Sequence, residues 1–568
     1  MTRSASEASA GTGHGAPETA ATAPARARRA AAPAGGPLTG ALTLLRFMLR
    51  RDRIRIPAWL LGLLVFTVGT ASNLATLYSS PADRQIIAAS MDSPAGIAMI
   101  GVNYGLDDYH YGVMMGHQML PFTVLLAGVM SVLLLVRHTR LEEATGRAEL
   151  VRAGVVGRHA TTAAALGVVM VANVGLALLL ALGMGSLGLE GITWPGSWLY
   201  GASHAVVGLT FAAVAAITVQ ITEHSRGASG MAMGAIGLAY ALRAVGDVSS
   251  PALSWLSPIG WAQATQVYVN DRWWPLLVGA AVTAVLTAVA VQLSTRRDVG
   301  AGLRQPRPGP AAASAALVRP LGFAFRLHRA GIIGWCVSLF LLGVMYGSVL
   351  GDAEQMLTDI QALEEFLPDS ATVSVTTSFA SVITTVLAII ATIYGVLAAL
   401  KLRSEESAGR AEPVLATGLS QPRWVLSHVA VAMLGSVAVL LSAGLGIGLT
   451  GAASTGDAGL ALRLTWAALA YAPALWVVVG LVAALFGLAP RAVMVTWALV
   501  LYSFVVNYLG QLLQFPEWMS RLSPFGHVPQ MPMEAFSVWG LAGLVVLAAA
   551  LTAAGLAGFR HRDLQSST

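Results

Sequence analysis

The chain has 568 residues, 56% of them hydrophobic and only 11% charged, with a formal net charge of +6. Soluble domains carry about 25% charged residues, so the composition excludes an ordinary soluble enzyme and indicates a chain solvated mainly by lipid. Cys336 is the only cysteine, which excludes any disulfide within the chain and suits a small core residue.

Residues 1–37 are rich in Ala, Gly, Pro, Ser and Thr and read as a disordered tail. Residues 40–55 place Leu44, Leu45, Met48 and Leu49 at helical spacing against Arg46, Arg50, Arg51 and Arg53. This suits either a helix lying in the inner leaflet or a plain basic flank. Apolar runs long enough to cross a bilayer, about 20 residues each, fall near 56–77, 118–136, 160–187, 200–221, 228–246 and 274–294. A second set falls near 331–350, 377–400, 425–450, 467–488, 491–511 and 537–558. The basic flank of the first run begins more than forty residues into the chain and eleven runs follow, so that run reads as a span and not as a cleaved leader.

The spans divide into halves at 38–295 and 326–560, joined by a Pro-containing linker at 296–325 and followed by a short tail at 561–568. The expected fold is therefore an all-α polytopic membrane protein of twelve transmembrane helices in two homologous six-helix halves. With both termini cytoplasmic, 29 of the 34 Lys and Arg residues lie inside with 12 acids, while five basic residues and 16 acids lie outside. That asymmetry sets the expected orientation and removes any need to read the net charge as nucleic-acid binding.

Between spans 1 and 2 an external segment, 78–117, holds His110 and His117 near Asp107 and Asp108. Two histidines fall short of the three or four clustered ligands of a zinc site, so no metal is expected. In the second half, 352–376 shows apolar residues at helical spacing and reads as a short amphipathic helix over the outer mouth. Residues 321–329 read as the counterpart of the first basic helix, ahead of span 7. Trp194, Trp198, Trp255, Trp273 and Trp274 fall where an aromatic belt would lie at the outer boundary.

The halves share landmarks in the same order, the mark of a duplicated unit. EEATGRAE at 142–149 recurs as EESAGRAE at 405–412, an offset of 263 residues. LSPIG at 256–260 recurs as LSPFG at 522–526, Arg226 as Arg491, and the Arg53/Trp59 pair as Arg329/Trp335. The polar repeat lies between two apolar runs in each half. If each copy is helical, Glu142 and Glu149 share a face with Gly146 between them, and Glu143–Arg147 and Glu406–Arg410 form i,i+4 pairs. A small residue flanked by carboxylates then invites close approach of a basic partner protein. The plainer alternative is a solvated loop that kept its ancestral sequence.

The chain shows no engine of its own. A P-loop needs GxxxxGK[ST], and Lys401, the only lysine, follows Leu-Ala-Ala-Leu without a glycine loop. Ion-coupled carriers keep ionisable groups within the membrane, but here Arg243 and Asp247 read as a local i,i+4 pair, and Asn173 and Asn507 as helix contacts. No interfacial cluster of His, Asp or Glu indicates a membrane enzyme.

At the duplicated loops, and over all twelve spans, the chain resembles the membrane subunits of ABC exporters of the second type, in particular the fused double-length permeases associated with tetronasin, other polyketide antibiotics and drugs. The resemblance implies a permease of the plasma membrane, without catalytic, metal or cofactor sites, that exports a hydrophobic small molecule. ATP and Mg would sit on a separately encoded ABC ATPase, in two copies, docking on the loop after the second span of each half. The residues so implied are Glu142, Glu143, Gly146, Arg147, Glu149 and Arg158, with Glu405, Glu406, Gly409, Arg410, Glu412 and Arg423. Pro413 stands where the first half has Leu150, so the second loop is expected to bend where the first continues. The alternative is a twelve-span ion-coupled secondary transporter, against which count the uncharged spans and the lack of a Gly-x-x-x-Asp-Arg loop after span 2.

Overall fold

The computed structural model describes residues 36–91, 94–298, 300–304, 309–348, 350–351, 371–509, 516–529 and 538–562. Among them no strand occurs, and twelve helices are long and apolar enough to cross a membrane. In the first half these are α1 (Arg55–Leu77), α2 (Tyr111–Ala144), α3 (Ala160–Gly185), α4 (Trp194–Ile221), α5 (Ser225–Ser249) and α6 (Trp274–Ser294). In the second they are α7 (Pro320–Ser348), α8 (Ala380–Ser407), α9 (Gln421–Thr455), α10 (Ala458–Leu488), α11 (Pro490–Asn507) and α12 (Val538–Arg560). The tail 1–35 and most of the expected outer helix at 352–376 lie outside the described residues.

The two halves repeat one packing scheme. In the first, α1 packs on α3, and α4 touches α2, α3, α5 and α6; in the second, α7 packs on α9, and α10 touches α8, α9, α11 and α12. Each half has its own apolar core, one running from Met48 to Ala290 and the other from Leu339 to Phe559. Close helix approach depends on small residues, as expected where lipid supplies no hydrophobic drive between helices. A Cβ on Gly487 of α10 would lie 2.1 Å from the carbonyl oxygen of Gly555 on α12.

The second repeated landmark is a Ser-Pro helix start. Ser257 and Ser523, both fully buried, accept hydrogen bonds from the amides of Ile259 (3.2 Å) and Phe525 (3.3 Å), and the prolines that follow begin the next turns.

Several helices start before the apolar runs, α10 by nine residues and α4 by six, and two of the differences have a clear physical cause. α2 begins seven residues before the apolar run, because polar His117 and Gln118 are satisfied inside it: the Gln118 amide donates to the Tyr109 hydroxyl (2.8 Å) and His117 bonds the same hydroxyl (3.1 Å). A π-turn at Met115–Met119 just precedes Pro121, whose missing amide favours such a local widening. The second difference concerns the basic helices. Ala41–Arg51 is separate from α1, whereas 321–329 is the opening of one continuous helix, α7. In the first half the chain breaks at Asp52, a fully buried carboxylate that accepts from Arg137 (3.1 Å) and meets His138 (2.7 Å) on α2. At the corresponding position, His328 meets His428 of α9 (3.1 Å) without leaving the helix.

On the face opposite the linker, His110 caps a turn by accepting from the Val113 amide (3.2 Å), and burial pushes its pKa down. Buried Arg243 donates to the carbonyls of Ala98 (3.2 Å) and Met99 (3.0 Å) and lies 3.5 Å from Asp247, tying α5 to the segment after α1. The five tryptophans expected in a belt are all exposed. Asn173 bridges α3 to Ser131 of α2 (2.8 Å), and Asn507 of α11 reaches Ser523 (3.1 Å).

Candidate functional site

The duplicated loops lie at the ends of α2 and α8, on the face that carries the linker between halves. Their glycine sets the geometry. Gly146 and Gly409 have φ of +73° and +68°, and a Cβ on either would meet nothing within 4 Å, so glycine is needed for the left-handed backbone and not for space. In the second copy the amide of Gly409 bonds the Glu406 carbonyl (2.9 Å) and that of Arg410 the Glu405 carbonyl (3.0 Å), a closing pattern that terminates α8. A new short helix then starts in each half, Arg147–Arg152 and Ala411–Leu415.

This corrects the expectation of one helical face. Glu142 belongs to α2 and Glu149 to the next helix, so the two do not project together. The i,i+4 pairing is replaced as well. Glu143 is taken by Arg297, whose guanidinium makes two contacts at 2.7 and 2.9 Å, and by Arg140. Glu406 is held by Arg562 at 2.7 and 2.8 Å. Glu142 pairs with Arg51 (2.7 Å) and Glu405 with Arg410 (2.8 and 3.1 Å). Each of those carboxylates raises the pKa of its arginine, mainly through the hydrogen bond. The pairs differ because Leu327 stands in the second half where the first has Arg51, and its carbonyl takes the Lys401 ammonium.

Pro413 does not bend the second loop. It falls in the first turn of Ala411–Leu415, where amides lack helical partners in any case and a proline is tolerated. Ala148 and Ala411 are buried beneath the two short helices. Arg147, Glu149 and Leu150 in the first copy, and Arg410, Glu412 and Pro413 in the second, are exposed. Glu149 and Glu412 sit in first turns, where a carboxylate favours the helix. Arg158 donates to the Thr295 carbonyl (2.6 Å) at the end of α6, and Arg423 is exposed near the start of α9.

Sequence reading missed Arg297 and Arg562, the partners of Glu143 and Glu406. Both follow the sixth helix of their half, and both are the Arg of an Arg-Asp pair, 297–298 and 562–563, spaced by the same 265 residues as Arg226 and Arg491. That repeat was the available signal. Arg297 also bonds the side chain of Gln220 at the end of α4 (2.5 Å), while Arg562 lies over the ring of Phe486 at the end of α10 (5.0 Å). In each half an arginine after the sixth helix thus reaches across the fourth to a carboxylate at the end of the second. The pairs are largely buried, with side-chain exposures of 10% and 11% for Arg297 and Glu143, 14% and 5% for Arg562 and Glu406. Breaking such a pair by removing one partner costs about 3–5 kcal/mol.

Twelve apolar helices in two like halves, each with a fixed polar loop at one end, define a multi-pass α-helical protein of the cell membrane. The family described as the C-terminal domain of the multidrug efflux system permease Rv1217c matches residues 42–293 and 317–560, the two halves of the fold. The multidrug efflux system permease protein Rv1217c of Mycobacterium tuberculosis (strain ATCC 25618 / H37Rv) is 37% identical over 537 residues, covering 94% of this chain and 96% of that protein. The chain therefore belongs to this family of efflux permeases.

Proposed function

We propose that the chain is the membrane subunit of an ATP-driven exporter that moves hydrophobic or amphipathic compounds out of the cell. A separately encoded ATPase, in two copies, would dock on the loops after α2 and α8. The linker face would be cytoplasmic, as the excess of basic residues there requires during insertion. One observation carries the reading: a chain without a phosphate-binding loop twice builds a short helix, set apart by a left-handed glycine, that presents an exposed arginine and carboxylate on that face. The relative's description as a multidrug efflux permease supports the substrate class.

The fixed loop chemistry selects the residues to test. Glu142, Glu143, Glu405 and Glu406 are engaged within the chain and none is exposed, so docking falls to the exposed Arg147, Glu149 and Leu150 and to Glu412 with Arg410, whose exposed guanidinium also holds Glu405. Reversing Arg147 and Glu149 together should weaken co-purification of the ATPase on the first half, and Arg410 with Glu412 on the second. Loss of a charge-assisted contact to a buried partner costs about 2–5 kcal/mol. Full retention of the ATPase by the quadruple variant would remove these loops as docking elements.

A further inference from the structure

Resting on that docking reading, we propose that Arg297 and Arg562 are positioning residues: each locks its loop to the sixth helix of its half, so that movement of the docked loop is carried to the far side of the membrane. Glu143 and Glu406 are each the penultimate residue of their helix, α2 and α8, and each stands three residues before the left-handed glycine. A tilt of the short loop helix therefore acts on that carboxylate through a single turn.

The carboxylate is joined to a helix that does not pack along its own. α4 lies between α2 and α6, and α10 between α8 and α12. The ion pair crosses over the end of the intervening helix and ties three helices at one point. α6 and α12 pack chiefly on α4 and α10, and at their inner ends the Thr295 carbonyl accepts from Arg158 while buried Phe559 stacks on Phe486, so what the ion pairs add is the link to α2 and α8.

The two locks share a plan and not their chemistry. In the first, Arg297 bonds Gln220 and the Ala301 carbonyl (3.1 Å), and Arg140 bonds Ala301 (2.7 Å) and Thr222 (2.6 Å), so the start of the linker is included. In the second, Arg562 sits over the rings of Phe486 and Phe559 at 5.0 and 5.2 Å. A cation over aromatic faces fills the place that hydrogen bonds fill in the first half. The geometry persists although its supports differ, which a loop retaining only its ancestral sequence would not explain.

The test uses the full-length chain with Cys336→Ala, purified with its ATPase in lipid. Single cysteines at Leu277 and Trp539, both exposed in the first turns of α6 and α12, report the far ends by their labelling rate with and without ATP plus vanadate. In the unaltered chain ATP should change both rates. Arg297→Gln should abolish the change at Leu277, and Arg562→Gln that at Trp539, while the ATPase still co-purifies. Arg297→Lys and Arg562→Lys, which keep the charge but lose the fork, should restore part of the response. Exchanging Glu406→Arg with Arg562→Glu should restore more than either single variant. An unchanged ATP response in the Gln variants would leave the pairs as structural ties and overturn the lock alone. Loss of the ATPase in those variants would place the arginines in docking and likewise overturn it. If the unaltered chain binds no ATPase, the docking reading fails first and the lock with it.

Discussion

Gly146→Ala is the smallest change that separates a hinged loop from a continuous helix. At φ +73° an added Cβ meets no atom within 4 Å, so the penalty is purely conformational. A residue with a Cβ in the left-handed region loses about 1–2 kcal/mol. In the competing state, where α2 continues past Gly146, alanine is favoured over glycine by about 1 kcal/mol. Both terms push the same way, for a total of about 2–3 kcal/mol, or roughly 30-fold to 160-fold in the equilibrium between hinged and straight loops. The buried seat of Ala148 opposes part of this change. Spin labels at Arg50 and Glu149, both exposed, read the outcome, because straightening carries Glu149 away from the helix Ala41–Arg51. The distance distribution should broaden or shift in Gly146→Ala and stay near that of the parent in Gly146→Asn, since asparagine tolerates the left-handed conformation. An unchanged distribution in Gly146→Ala would refute the assignment of the glycine to backbone geometry.

Asp52→Ala should lower the unfolding temperature in detergent sharply, because it strands buried His138 and half-buried Arg137 without their carboxylate, a loss of about 3–5 kcal/mol. Gly487→Leu should prevent α12 from seating on α10 and reduce the folded fraction in size-exclusion chromatography, whereas Gly146→Ala should leave that fraction unchanged. In a Cys336→Ala background, a cysteine at Ser407 should label only from inside the cell and one at Glu364 from outside; external labelling at Ser407 would reverse the orientation.

Much of this architecture was legible in the sequence because lipid imposes a plain rule: twelve apolar runs of sufficient length become twelve helices, and a duplicated order of landmarks becomes a duplicated packing scheme. The loops were legible as a repeat but not as a shape. The spacing of EEATGRAE suits a helix, and the one mark against it was the glycine repeated in both copies, the residue that most often ends a helix in the left-handed region. Nor does spacing reveal that Glu143 turns to a residue 154 positions away and Glu406 to one 156 away. The start of α2 was hidden for another reason: His117 and Gln118 lower local hydropathy, yet Tyr109 satisfies both inside the fold. Whether 321–329 is a separate helix turned on two positions: Asp52 against His328, where a carboxylate meets α2 and an imidazole meets α9, and Pro57 against Ile333, where the proline has no amide for the Arg53 carbonyl and so disfavours a continuous helix.

The central claim is that this chain takes its energy from an ATPase bound at the two loops. Reconstituting the purified chain with a candidate ABC ATPase subunit from the same organism, and following accumulation of hydrophobic dyes in inside-out proteoliposomes, tests that claim most directly. The account predicts dye uptake that requires the ATPase subunit and hydrolysable ATP, persists without a proton gradient, and fails when Arg147, Glu149, Arg410 and Glu412 are reversed. Uptake by the chain alone, driven by a proton gradient and indifferent to ATP, would contradict it.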